Sequence, residues 1–198
     1  MRTILRILRI NKKILYTIML VWLLIIIGWG LSRYYQLQIN VSTSMPQRFW
    51  VTHIGDVHLK RGDYVTVMFH DYRMKNANDF EYVVKQVGGT AGDEIVVQNI
   101  KQDRYSIDTK LKMSANDREY LNKHRQLLVA QYQLNNIVYP VFDNLNGNRF
   151  KPLTTKNKLI PQGYYFIHGQ VQPTFDSRYK EFGLINESQI YGRAYPIF

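Results

Sequence analysis

Three short stretches of the chain carry side chains able to do chemistry on one another. The first, Asn40-Val41-Ser42-Thr43-Ser44-Met45-Pro46, holds two hydroxyls at alternate positions. An extended backbone would point Ser42 and Ser44 to one face and Thr43 to the other. Taken alone, such a serine-rich turn reads as linker. The second, Val83-Val84-Lys85-Gln86-Val87, sets an amine between two valines on one face of a strand. A lysine so placed ordinarily packs its stem and sends its charge to water. If its amine is buried instead, desolvation disfavours the charged form, and the pKa falls from about 10.4 toward values useful for a base near neutral pH. The third, Thr174-Phe175-Asp176-Ser177-Arg178-Tyr179, reads alone as a charged turn closed by a local Asp–Arg pair.

The elements that must position these groups begin with an anchor. Ile14–Leu31 is 18 residues without a charge, and as a helix it would span roughly 27 Å, close to the ~30 Å hydrocarbon core of a bilayer. A cleavable leader would have a shorter apolar run followed by a small-x-small site, whereas Ser32-Arg33-Tyr34-Tyr35 follow here, as at an interfacial edge. Arg2, Arg6, Arg9, Lys12 and Lys13 precede the run, so the positive-inside rule puts residues 1–13 in the cytoplasm, 14–31 across the inner membrane and 32–198 outside it. Beyond the anchor, Phe49–His53, Tyr64–His70, Tyr82–Val87, Ile95–Gln98, Ile137–Phe142 and Tyr164–Ile167 are rich in Val, Ile, Tyr and Phe and predict strands. Arg61-Gly62-Asp63, Gly88-Gly89, Gly92-Asp93 and Asn146-Gly147 predict turns. Ser114 with Asp117 resembles a capping box, and Tyr120, Leu121, Leu127, Leu128 and Tyr132 extend the helical spacing, predicting a helix over 115–134. Residues 99–160 as a whole read as a polar insertion on a mainly β, coiled antiparallel domain.

Composition narrows the function classes. The net charge is +11, but the first 13 residues hold five basic side chains and no acid, and later charges are interspersed. That pattern fits a lipid-facing N-terminus better than a nucleic-acid groove. With no cysteine in the chain, disulfides and thiolate metal sites are excluded.

Together, in their order and spacing behind one N-terminal helix, the three stretches resemble the boxes of the type I signal peptidase family. Ser44-Met45-Pro46, with its short Ser-x-Pro spacing, is similar to the TraF-like conjugative-transfer subgroup. Lys60-Arg61-Gly62-Asp63-Tyr64-Val65 resembles the family's conserved strand entry. Lys85 through Gly92-Asp93 resembles the lysine box, and Phe175-Asp176-Ser177-Arg178-Tyr179 with Gly183 the last box, preceded by Pro161-Gln162-Gly163-Tyr164-Tyr165-Phe166.

The resemblance implies a signal-peptidase-like catalytic domain in which Ser44 is the nucleophile and Lys85 the general base. It implies an oxyanion hole made by the Ser42 hydroxyl and the Ser44 backbone N–H, with Thr174 orienting the lysine. Asp93, Asp176 and Arg178 would support the site, and no cofactor or metal is implied. The implied activity is cleavage of signal peptides or pilin-like precursors outside the cytoplasmic membrane, including pilin maturation or cyclisation in conjugative transfer. A catalytically silent membrane assembly protein on the same scaffold is the alternative. Its partners would be a precursor or pilin substrate and membrane lipid, and not nucleic acid. Gln86 stands where the family has arginine, Thr90-Ala91 where it has Leu-Pro, Arg48 where the TraF-like group has glycine, and His168-Gly169-Gln170 where it has Gly-Asp-Asn. These departures bear on substrate preference. His53, His58, His70 and His124 have no motif context, and His168 reads as a pocket-edge residue.

Overall fold

A computed structural model describes residues 12–40, 43–70, 80–99, 112–124, 127–145, 147–154 and 159–197. The chain divides into two compact units, residues 1–36 and 37–198. In the first, helix α1 (Lys12–Leu31) carries large apolar side chains exposed all along its length. It is long and apolar enough to cross a membrane.

The second unit is mainly β, as its Val, Ile, Tyr and Phe runs predict. A seven-stranded sheet runs in the order β1 (Tyr35–Ile39), β2 (Phe49–Ile54), β12 (Ile190–Pro196), β3 (Tyr64–Phe69), β4 (Glu81–Gly89), β10 (Tyr164–His168) and β11 (Ile185–Asn186). The pairs from β2 through β11 are antiparallel. Both sheet faces are covered. Val65, Val67, Val87, Ile167 and Ile185 pack on one side, and Met45, Trp50, Val84 and Ala194 on the other.

Residues between β4 and β10 build a sheet of their own: β5 (Val96–Asn99), β6 (Leu128–Leu134) and β7 (Ile137–Phe142), with helix α2 (Ala115–Lys123) and the short hairpin β8 (Asn144–Leu145) and β9 (Asn148–Arg149). The polar composition of this region conceals a core of Leu121, Leu128, Tyr132, Leu134, Val141 and Phe142, joined by Phe166 and Tyr179.

Two sequence expectations are corrected. The helix expected over 115–134 stops at Lys123, and Leu128–Leu134 is strand β6. Leu128, Ala130, Tyr132 and Leu134 are buried at alternate positions and the strand pairs with β7, so a period of two wins over helical spacing. Ser114 does cap the helix, accepting from the Asp117 N–H at 3.0 Å. Gly88-Gly89, expected as a turn, lies inside β4. A β-carbon on Gly89 would sit 2.6 Å from Leu134 Cδ2 and 2.7 Å from Ile160 Cδ1, so glycine there admits the second sheet against the first.

Candidate active site

Strand β4 delivers Lys85 to the middle of the sheet, directly opposite Val65 of β3. The side chain is only 4 % exposed, and its amine donates to Thr174 Oγ1 at 3.0 Å. Burial pushes the amine down to about 8; the negative charge of Asp176 opposes that shift and Arg178 adds to it. At pH 7 about one-tenth of such an amine is therefore unprotonated, far more than for a lysine in water.

Thr174 is buried and its neighbour across the site is Gly169. A β-carbon at Gly169 would lie 2.3 Å from Thr174 Oγ1 and 2.9 Å from the Ser44 carbonyl oxygen. Ser44, 5 % exposed, is held in turn by its carbonyl, which accepts from Gln170 N at 2.8 Å and Val171 N at 3.0 Å. Thr174 and the Ser44 backbone thus meet at one glycine, and Lys85 reaches the same threonine, although the three come from positions far apart in the chain.

Behind them lies a buried charge cluster. The Asp176 carboxylate accepts from Arg178 Nε at 2.8 Å and Nη2 at 2.7 Å in a bidentate pair, and from Gly169 N at 3.0 Å. Burial alone would raise Asp176, but the guanidinium outweighs it and holds the carboxyl below its usual range. Arg178 also donates to the Pro140 carbonyl at 2.9 Å and lies 3.6 Å from Asp117 of α2.

Asp93 is placed elsewhere. It closes the turn after β4, accepting from Thr90 N at 2.8 Å and pairing with Arg61 at 2.7 Å. Ser42 lies outside the described residues. His168 lines a cleft of about 670 Å³ with Gln86, Met113, Ile137, Tyr139 and Gln170. Its Nδ1 donates to the Gly169 carbonyl at 3.1 Å, and burial pushes the ring's pKa below its usual range. Among the described residues, no group of three or more His, Asp or Glu is arranged to hold a metal ion.

Sequence reasoning overlooked two residues of this arrangement. Gly169 carried only the signal of a glycine beside the last box. Asp117 was visible as a capping residue, yet its carboxylate turns inward to Arg178 and to Gln172 Nε2, at 2.6 Å.

A family model described as signal peptidase, peptidase S26, matches residues 7–198. No curated protein matches the chain.

Proposed function

Since this chain belongs to the signal peptidase family, peptidase S26, and is a serine peptidase of that type with an N-terminal apolar helix, we propose that Ser44 is its nucleophile and Lys85 its general base. The observation that carries the reading is the buried Lys85 amine on Thr174, with Thr174 and the Ser44 backbone both against Gly169. In the proposed reaction neutral Lys85 takes the Ser44 hydroxyl proton as Oγ attacks the scissile carbonyl. The oxyanion is met by the Ser44 N–H and the Ser42 hydroxyl. Collapse expels the amine, which receives the proton from Lys85, and leaves an acyl-enzyme on Ser44. Water then releases the acid; an amine of the substrate itself would instead close a ring. Thr174 holds the lysine amine, and the Asp176–Arg178 pair supports the wall that carries Gly169.

The substrates proposed are secreted or pilin-like precursors cut at small residues outside the cytoplasmic membrane, with a conjugation-specific role favoured by the Ser-x-Pro spacing. The test is cleavage of an internally quenched peptide with alanine before the cut, by the full chain in detergent. Ser44→Ala and Lys85→Ala should abolish cleavage, and Lys85→Arg should be nearly as inactive, because a guanidinium keeps its proton. Substantial turnover by Lys85→Arg would refute the assignment. Reporters active only outside the cytoplasm should work fused after Phe198 and fail fused before Ile14; the reverse would overturn the orientation.

A further inference from the structure

Gln170 makes hydrogen bonds to four separate parts of the fold. Its N–H donates to the Ser44 carbonyl at 2.8 Å. Its own carbonyl accepts from Asn116 Nδ2 of α2 at 3.0 Å. Its side-chain Nε2 donates to Gln86 Oε1 of β4 at 3.0 Å and to the Tyr64 hydroxyl of β3 at 3.2 Å. The amide orientations are mutually required. Gln86 Nε2 is spent on the Gly62 carbonyl at 3.0 Å, which can only accept, so Gln86 offers its oxygen and Gln170 must offer its NH₂.

The consequence is geometric. Gln86 is the strand neighbour of Lys85, and Gln170 is the chain neighbour of Gly169, which separates Ser44 from Thr174. Gln170 therefore clamps the segment that carries Ser44, through its backbone N–H, to the strand that carries Lys85, through its side chain. We propose that Gln170, locked by Gln86, is a positioning residue of the cleavage reaction: it fixes the Ser44 turn relative to Lys85 and does not itself touch substrate. The proposal rests on the Ser44–Lys85 reading for its kinetic consequence, and on hydrogen bonding alone for the clamp.

The experiment compares the full chain in detergent with Gln170→Leu, which keeps a side chain of similar bulk without its hydrogen bonds, with Gln86→Leu, and with the double variant. Misplacement of reacting groups by even about 1 Å can lower a rate by about 10²-fold. Gln170→Leu should accordingly lower kcat on the alanine peptide by about tenfold or more, with KM within about threefold of wild type. The double variant should be no worse than about twofold below the poorer single one, since both remove the same clamp. Hydrogen exchange should quicken at the Gln170 and Val171 amides, which bond Ser44, and stay unchanged in the centre of β4. A kcat within threefold of wild type, an effect confined to KM, additive losses, or faster exchange throughout the domain would each overturn the proposal. If the wild type cuts nothing, or Ser44→Ala cuts equally well, the exchange measurement, which needs no peptidase activity, still judges the clamp, and the catalytic reading is what fails.

Discussion

Replacing Lys85 with methionine should make the protein more stable at neutral pH while abolishing cleavage. The Lys85 pKa falls from 10.5 unfolded to about 8 folded, chiefly through burial. At 1.36 kcal/mol per unit, holding the proton inside the fold costs about 3 kcal/mol. Methionine has nearly the same reach and no charge, but gives up the bond to Thr174 Oγ1, worth about 1 kcal/mol. The expected net gain is about 2 kcal/mol at pH 7. The sign follows from proton uptake. Below pH 8 both folded and unfolded chains hold the proton and the penalty is constant. Between 8 and 10.5 only the unfolded chain holds it, so wild-type stability rises with pH. The advantage of the methionine variant should therefore shrink above pH 8, vanish at about 9.5 and be reversed by about 10.5, where the wild type keeps its hydrogen bond without the charge. Urea unfolding of both full chains in detergent at pH 7, 9 and 10.5 measures this. A variant less stable than wild type at pH 7 would mean that the folded protein holds Lys85 as a favourably paired cation, which removes the basis for its acting as a base. In the same frame, wild-type kcat/KM should climb about tenfold per pH unit below 8 and level off above it.

Three further outcomes are expected. Gly169→Ala would press a β-carbon onto Thr174 Oγ1 and the Ser44 carbonyl, and should lower kcat at least about tenfold and stability by about 1–3 kcal/mol, read by kinetics and urea unfolding. Asp176→Asn leaves the buried Arg178 without its bidentate partner and should cost about 3–5 kcal/mol; because the Asp176 carboxyl is held below its usual 3.8, the wild type's advantage should persist above that value and vanish as pH falls through the lower folded one. Ser42→Ala should lower kcat by about 10²–10³ and Thr43→Ala by less than about tenfold, and equal mild losses in steady-state kinetics would leave Ser42 an ordinary turn residue.

The strands that were legible from sequence are those where β-branched and aromatic residues run uninterrupted, such as β3 and β7. Strand β12 was not, although it lies between β2 and β3 in the sheet. Its Ile-Tyr-Gly-Arg-Ala-Tyr-Pro sequence carries a glycine and a proline that locally argue against a strand. Gly192 is needed for close approach: a β-carbon would fall 2.0 Å from the His53 carbonyl. Lys85 was legible as an amine on a valine-lined face, but its burial depends on β3, β10 and the last box closing around it. The Gly169 wedge was illegible for the same reason. Nothing local to His168-Gly169-Gln170 marks the two partners, 125 and 5 positions away, that a side chain there would strike.

One of the ties that bind the region between β4 and β10 to the site is a buried guanidinium. Arg178 is fixed from the insertion side by the Pro140 carbonyl of β7 and the Asp117 carboxylate of α2, and from the other side by Asp176. Asp176 in turn holds the Gly169 N–H. The same charges act on Lys85, where Asp176 favours its protonated form and Arg178 disfavours it. An unpaired carboxylate at Asp176 would oppose the effect of burial and keep the amine charged to higher pH. Burial is the largest influence and Arg178 acts in the same direction, so the amine is pushed down to about 8 despite that pull. Under the proposed mechanism, the insertion thus helps to set the protonation of the base by holding Arg178 in place, without supplying any group that reacts.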